Sequence, residues 1–142
     1  MNHNIKKIVS YYKRKTGTAD PFAIADRLGI LYQICDLQFE GCYMFLKNHR
    51  YIFINQNLPE HEMRLVMAHE LGHAILHRKE NCYFIRNKTL LLNSKKEIEA
   101  NKFAMELLLP DSFLEEYRDF TIEQISRMTG YHQKLIQLRV EN

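Results

Sequence analysis

Three polar side chains within a long apolar segment have the types and spacing needed to hold a metal ion and use it. They are His69, Glu70 and His73, which form an H-E-x-x-H motif. On a helix, residues four apart lie about 6 Å apart along the axis and about 40° apart around it, so both imidazoles can reach one ion. Glu70 lies roughly 100° around from His69, where it can reach a water on that metal without being a ligand. The spacing therefore predicts metal-dependent hydrolysis, in the arrangement that zinc peptidases use.

The residues around the motif indicate that its helix is buried. Segments 63–68 and 74–76 are apolar on nearly every side of the helix, which is typical of a helix in a protein core. Buried polar side chains without partners are costly, so two histidines and a glutamate need partners there. A metal ion meets that need. The alternative is a pair of core histidines with ordinary hydrogen bonds.

A catalytic zinc site needs a third protein ligand and one open position for water. Glu97 and Glu99 both lie on a predicted helix near residue 100, and the angle of about 100° per residue separates them. Glu97 falls on an apolar side, where zinc would be its partner, and we predict that it is the third ligand. Glu99 falls on a charged side, so we expect it to be solvated. The other charged residues on that side are Lys95, Lys102 and Glu106.

Two further observations bear on Glu97. Asn101, four residues on, shares its side of the helix and is placed to hydrogen-bond the free ring nitrogen of a ligand histidine. Against the ligand interpretation, Ser94 and Glu97 also fit the S-x-x-E capping box, in which Glu97 would reach back to the helix start. Two histidines and one carboxylate at a tetrahedral site favour Zn²⁺ over other metals.

Two residues are candidates for stabilising the charge that develops on the carbonyl oxygen during hydrolysis. His77 lies too far along the same helix to share the metal with His69, since eight residues span about 12 Å. It is expected near the site, as a transition-state donor or simply as a histidine stabilised by the helix C-terminus. Tyr43 is the second candidate donor. Its strand, 41–46, could also pair with an extended substrate.

Length and composition predict one ordinary globular domain, residues 1–142. The chain is 46% hydrophobic and 26% charged, with a net charge of +3, which is too small to indicate a nucleic-acid-binding protein. We find no signal peptide and no run approaching the ~20 apolar residues of a membrane span. Cysteines 35, 42 and 82 lack C-x-x-C spacing and are interpreted as reduced thiols of a cytoplasmic protein.

The fold class predicted from the patterns is α+β. Helices are expected at 5–15, from Asp20-Pro21 to Gly29, at 59–77, at 95–109, at 122–128 and at 133–140. Strands are expected at 30–35, 42–46 and 51–54, with a turn at 47–50, and residues 79–93 are expected to be irregular. The strands predict a small antiparallel sheet packed against the H-E-x-x-H helix, in a gluzincin-like domain.

Two longer motifs resemble one known family. The run Ala68-His69-Glu70-Leu71-Gly72-His73, followed by Glu97 to Pro110 with its E-x-x-A-N-x-F-A-x-x-L-L-x-P pattern, is similar to the ImmA/IrrE family of zinc metallopeptidases. The resemblance covers nearly the whole chain. It implies His69, His73 and Glu97 as zinc ligands, Glu70 as the base and Asn101 as a hydrogen-bond partner of a ligand, the same assignment that the helix angles give.

The resemblance also implies a partner. Short family members resemble anti-repressors of phages and integrative elements, which cleave a helix-turn-helix repressor, and we expect a protein substrate of that kind. Docking is expected at the closing helices, with Lys134 and Arg139 on the surface. Two alternatives stay open: a zinc protein that regulates without hydrolysis, and a DNA-binding regulator that uses a helix-turn-helix-like segment at 121–139.

Overall fold

The computed structural model describes residues 4–84 and 94–141. The helices of these residues are α1 Ile5–Thr16, α2 Pro21–Arg27, α3 Glu60–Leu76, α4 Lys95–Leu108, α5 Asp111–Glu116, α6 Ile122–Thr129 and α7 Gln133–Val140. The strands are β1 Leu31–Cys35, β2 Gly41–Leu46, β3 His49–Asn55 and β4 Cys82–Phe84. The predicted α+β class is confirmed.

The predicted helix boundaries are confirmed by their capping contacts. Gly17 ends α1 in the left-handed conformation, with φ of 72°, which glycine adopts without steric cost. Asp20 caps α2 by accepting a hydrogen bond from the backbone N–H of Phe22, and Pro21 is the first helical residue. The H-E-x-x-H helix, α3, ends at Leu76 with His77 as its C-cap, close to the predicted end.

The sheet is mixed, which corrects the expectation of an antiparallel sheet. Strands β2 and β3 form the predicted antiparallel hairpin, and its turn places Lys47 and Asn48 at φ of 48° and 65°, as a tight two-residue hairpin turn requires. Strand β1, however, pairs with β3 in parallel. It lies on the side of β3 that faces away from β2, in the strand order β1-β3-β2-β4. Strand patterns reveal which residues face a core but not which strand is the neighbour.

Strand β4 was not predicted, since residues 79–93 were expected to be irregular. It pairs with Gly41, Cys42 and Tyr43 of β2 in antiparallel register. That edge of β2 is therefore used within the chain, and the expected pairing of a substrate with this part of 41–46 is wrong. Residues 85–93 of the predicted irregular stretch lie outside the described part of the chain.

Helices α3 and α4 form the centre of the molecule. Residues 66–74 of α3 are all buried. The two helices touch at Gly72, where a Cβ atom would lie 3.1 Å from Cβ of Phe103 and 3.3 Å from Cα of Ala100. A side chain at this position of the motif would push the helices apart. The absence of one lets α4 approach the face of α3 that carries the histidines.

The closing helices pack on the other half of α4 around a second apolar cluster. Its buried members are Met105, Leu109, Ile125, Tyr131, Leu135 and Ile136. Beside it, Arg139 is only 3% exposed and donates from Nε to the carbonyl oxygen of Leu109 at 2.7 Å. The expectation that Arg139 lies on a docking surface is therefore wrong, whereas Lys134 is exposed. Within the described ranges, no helix combines the length and the hydropathy that a membrane span needs.

Candidate metal centre

Three side chains from α3 and α4 bring their donor atoms to one point. Nε2 of His69 lies 3.1 Å from Nε2 of His73, one helical turn away. The carboxylate of Glu97, from the first turn of α4, lies 3.0 Å from each of these nitrogens, with one oxygen towards each histidine. The residues that the sequence singled out as metal ligands are thus brought together.

The hydrogen bond between Nδ1 of His69 and Asn101 leaves Nε2 of His69 able to bind a cation. Nδ1 of His69 lies 2.7 Å from Oδ1 of Asn101. An amide oxygen only accepts, so Nδ1 carries the proton and Nε2 presents a lone pair towards His73 and Glu97. Nitrogen and oxygen ligands 2.0–2.1 Å from a tetrahedral zinc ion lie about 3.3 Å from one another. The observed triangle of donors is close to that size, and the donor set suits zinc chemically.

The electrostatics of Glu97 and His73 also agree with a metal site. Burial alone would raise the pKa of Glu97, but hydrogen bonds and charge from His69 and His73, in the forms that carry a proton on Nε2, hold it well below its usual range. A bound metal ion would take the place of those protons. Burial lowers the pKa of His73, despite the opposing effect of Glu97. An ionised carboxylate and a neutral imidazole are the forms that bind metals.

Glu70 lies beside the three donors with one oxygen unsatisfied. It is fully buried, and its Oε1 lies 3.8 Å from Nε2 of His69. Among the described residues, this Oε1 is the buried side-chain oxygen that lacks a hydrogen-bond partner. Burial, and then the charge of Glu97, raise the pKa of Glu70 well above its usual range. Such an oxygen can accept a proton from a molecule in the site.

Sequence reasoning missed a contact between Cys82 and Glu70. The thiol of Cys82, on β4, donates to Oε2 of Glu70 with a sulfur–oxygen distance of 3.6 Å. Burial, and then the charge of Glu70, raise the pKa of this thiol, so it is held as a neutral donor. Nothing in the sequence marks the contact, because β4 is too short to show a periodic pattern.

The structure places His77 behind His73. Nδ1 of His77 lies 3.0 Å from Nδ1 of His73, and Nε2 of His77 lies 3.0 Å from Oε1 of Glu99. Glu99 is 8% exposed, so the expectation of a solvated Glu99 is wrong. The helix angles gave its direction correctly, but that side of α4 is covered by His77. The four-residue spacing of His73 and His77, the same as that of His69 and His73, is the sequence signal for this contact.

Two other predictions concern Tyr43, a candidate oxyanion donor, and Ser94, a candidate helix cap. The hydroxyl of Tyr43 donates to the backbone oxygen of Arg78, and burial raises its pKa to about 12. Its hydrogen is therefore used outside the three donors. Ser94 makes no side-chain capping bond at the start of α4, so the capping-box alternative for Glu97 is not formed.

Comparison with known proteins identifies the family of this chain. The family model described as the IrrE N-terminal-like domain, Peptidase_M78, matches residues 25–131. The uncharacterized immunity region protein 2 of Bacillus phage phi105 is 39% identical, over 95% of this chain and 88% of that protein. Metallopeptidase ImmA of Bacillus subtilis (strain 168) is 35% identical, over 68% of this chain and 66% of ImmA. This chain therefore belongs to the ImmA/IrrE family of metallopeptidases.

Proposed function

We propose that this chain is a zinc-dependent endopeptidase that cuts one protein partner, a helix-turn-helix repressor of a phage or integrative element. The observation that carries the hydrolytic part is the convergence of His69, His73 and Glu97 beside Glu70, whose Oε1 has no hydrogen-bond partner. Three lone-pair donors at one point call for a cation. The buried carboxylate of Glu70, next to them, can accept a proton from a water molecule.

In the proposed mechanism His69, His73 and Glu97 would hold the zinc ion. When bound, zinc would lower the pKa of water and polarise the peptide carbonyl. Oε1 of Glu70 takes one proton from the attacking water and then gives it to the nitrogen of the leaving amine, so the carboxylate is restored after each cycle. The peptide C–N bond breaks, and the water oxygen becomes part of the new carboxyl group.

The surroundings of Glu70 suit this task. A carboxylate with the ordinary Glu pKa is a weak base at neutral pH, and a base is most effective when its pKa lies near the working pH. Burial raises the pKa of Glu70 in the metal-free protein, whereas the positive charge of a bound zinc ion would lower it. The thiol of Cys82 donates to Oε2, which leaves Oε1 as the oxygen that handles the proton.

The choice of substrate rests on similarity rather than on the geometry of the site. The phi105 relative has a name that refers to a phage immunity region, which agrees with a partner that controls phage genes. The resemblance to short family members implies a repressor. The proposed place of action is the cytoplasm, where such a repressor binds DNA and where the free thiols of the three cysteines stay reduced.

Incubation of the purified chain with the repressor encoded beside its gene tests the proposal. Wild-type protein with zinc should cut the repressor at one place and leave casein intact. Glu70→Gln should keep its zinc, measured by elemental analysis, and cut about 10²–10⁴-fold more slowly. Equal rates for the two proteins would refute the role of Glu70. Digestion of casein would refute the restriction to one partner.

A further inference from the structure

The two histidines of the metal centre are held from behind in different ways. Asn101 contacts Nδ1 of His69 directly, at 2.7 Å. For His73 the support is indirect, because His77 lies between it and α4. His77 contacts His73 at 3.0 Å and Glu99 at 3.0 Å, which makes a chain from His73 through His77 to Glu99.

Metal binding leaves one arrangement of protons along this chain. For Nε2 of His73 to offer a lone pair to a metal, its proton must be on Nδ1. Nδ1 of His77 must then accept that proton's hydrogen bond, so His77 carries its own proton on Nε2. Nε2 of His77 faces Oε1 of Glu99, and a carboxylate oxygen is the acceptor that this proton needs.

We propose that Glu99 and His77 are positioning residues that fix the tautomer and the ring orientation of His73. The inference rests on the zinc site proposed above. Glu99 holds the proton of His77 on Nε2, and His77 in turn holds the proton of His73 on Nδ1. The negative charge of Glu99 thereby makes Nε2 of His73 a stronger donor. Direct carboxylate–histidine–metal contacts act in this way, and here a second imidazole extends the contact.

Helix α4 supplies one proposed ligand and two supporting residues, at alternate positions of its sequence. Glu97 is the proposed ligand, Glu99 supports His73 through His77, and Asn101 supports His69. Residues two apart point about 200° apart around a helix. Glu99 therefore points away from Glu97 and Asn101, and its carboxylate reaches His73 only through an intermediate side chain. His77, at the C-cap of α3, is that intermediate.

Zinc affinity, measured by competition with a chelator, tests the role of Glu99. Glu99→Leu should bind zinc about 10–100-fold more weakly, the usual effect of removing a partner behind a ligand. Glu99→Gln should lose less, because its amide oxygen can still accept from Nε2 of His77. The matched control is Glu106→Gln, which alters another buried carboxylate of α4 that pairs with Arg139 instead. Its zinc affinity should equal that of the wild type.

Nitrogen NMR of the histidine rings in the zinc-loaded wild type tests the same proposal without a substitution. The expected spectrum has His73 protonated on Nδ1 and His77 protonated on Nε2 alone. A proton on Nδ1 of His77 would overturn the proposal, and this measurement decides if Glu99→Leu does not fold. A folded Glu99→Leu with wild-type affinity would also overturn it while leaving the zinc site intact. Wild-type protein that binds no zinc would instead refute the proposed function itself.

Discussion

Two buried polar clusters lie along α4, and they differ in how their charge is balanced. The metal centre, near the start of the helix, consists of His69, His73 and Glu97, which present acceptors to one another. The Arg139 cluster, near the end, contains its own cation. In it Arg139 lies 3.4 Å from a carboxylate oxygen of Glu106 and 2.8 Å from one of Asp111. The Arg139 cluster is complete within the chain, whereas we propose that an ion from outside completes the metal centre.

This difference predicts different responses to the same kind of damage. Loss of a side chain from the metal centre removes a ligand and with it the bound ion. Loss of Arg139 or Glu106, the two buried members of the Arg139 cluster, leaves a buried charge without that partner, which destabilises the fold. The metal centre should therefore govern activity and the response to zinc, whereas the Arg139 cluster should govern stability alone.

The largest effect is expected from Glu97→Ala. Removal of a ligand should cost more than the roughly 100-fold loss of metal affinity typical of residues behind ligands, and peptidase activity should fall with it. At free zinc a thousandfold above its Kd, bound zinc should stabilise the wild type by about 4 kcal/mol. Thermal unfolding with and without zinc should show less than about 1.4 kcal/mol of this stabilisation in Glu97→Ala. Wild-type zinc affinity in this variant would remove the contrast between the two clusters.

Arg139→Met should follow, with a loss of about 3 kcal/mol in the free energy of unfolding. This is the lower end of the range for breaking a buried ion pair, since the side chain of Asp111 is 65% exposed. The double variant Glu106→Leu with Arg139→Met should recover most of the loss, because it leaves no buried charge unpaired. Urea titration measures both. Zinc affinity should stay at the wild-type value, and a change there would show that the clusters are coupled.

Gly72→Ala should have a smaller effect, on the packing of α3 against α4 and through it on the metal centre. The new methyl group would lie 3.1 Å from Cβ of Phe103, and overpacking of this kind costs about 1–3 kcal/mol. The better helix propensity of alanine offsets up to about 1 kcal/mol. We expect a net loss of about 1 kcal/mol in the metal-free protein and weaker zinc binding, as α4 moves away from His69 and His73. Unchanged zinc affinity would show that Glu97 does not depend on this close approach.

The smallest effect is expected from Asp111→Asn. Hydrogen bonds from Lys6 and Arg139 lower the pKa of Asp111 below its usual range. The contribution of Asp111 to the free energy of unfolding is therefore present above its unfolded-state pKa. It is lost as the pH falls through its folded-state pKa. Because the group is exposed, the wild type should exceed the variant by less than about 1 kcal/mol at pH 7. The two should converge at the acid end of a stability–pH series. A stability difference that grew towards low pH would show that Lys6 and Arg139 do not stabilise the ionised form of Asp111.

The local parts of the site could be predicted from the sequence. The H-E-x-x-H spacing places His69 and His73 on one side of α3 because helical periodicity is fixed. The same periodicity separated Glu97 from Glu99 and placed Asn101 beside Glu97. The capping residues Gly17 and Asp20 marked helix ends through their own backbone and side-chain chemistry.

The parts that failed all depend on contacts between distant segments. Glu99, Glu106 and Arg139 carry charge, which favours solvent until another element covers them, and periodicity does not reveal that element. Strand β1 shows the same limit, since its pattern did not identify β3 as its parallel neighbour. Tyr43 was a candidate donor to the carbonyl oxygen during hydrolysis, but its hydroxyl donates to the backbone oxygen of Arg78, which is 35 residues away in the sequence.

The two apolar cores of the chain imply that it does not open as a single cooperative unit. The second cluster, under α6 and α7, meets the main core through the partly buried Leu65 and Leu108. Parts of a protein with largely separate apolar clusters often unfold separately in native conditions. Amide hydrogens of α7 should then exchange with solvent as one group, ahead of those in the buried part of α3. Brief opening of the closing helices would in that case leave the H-E-x-x-H helix folded.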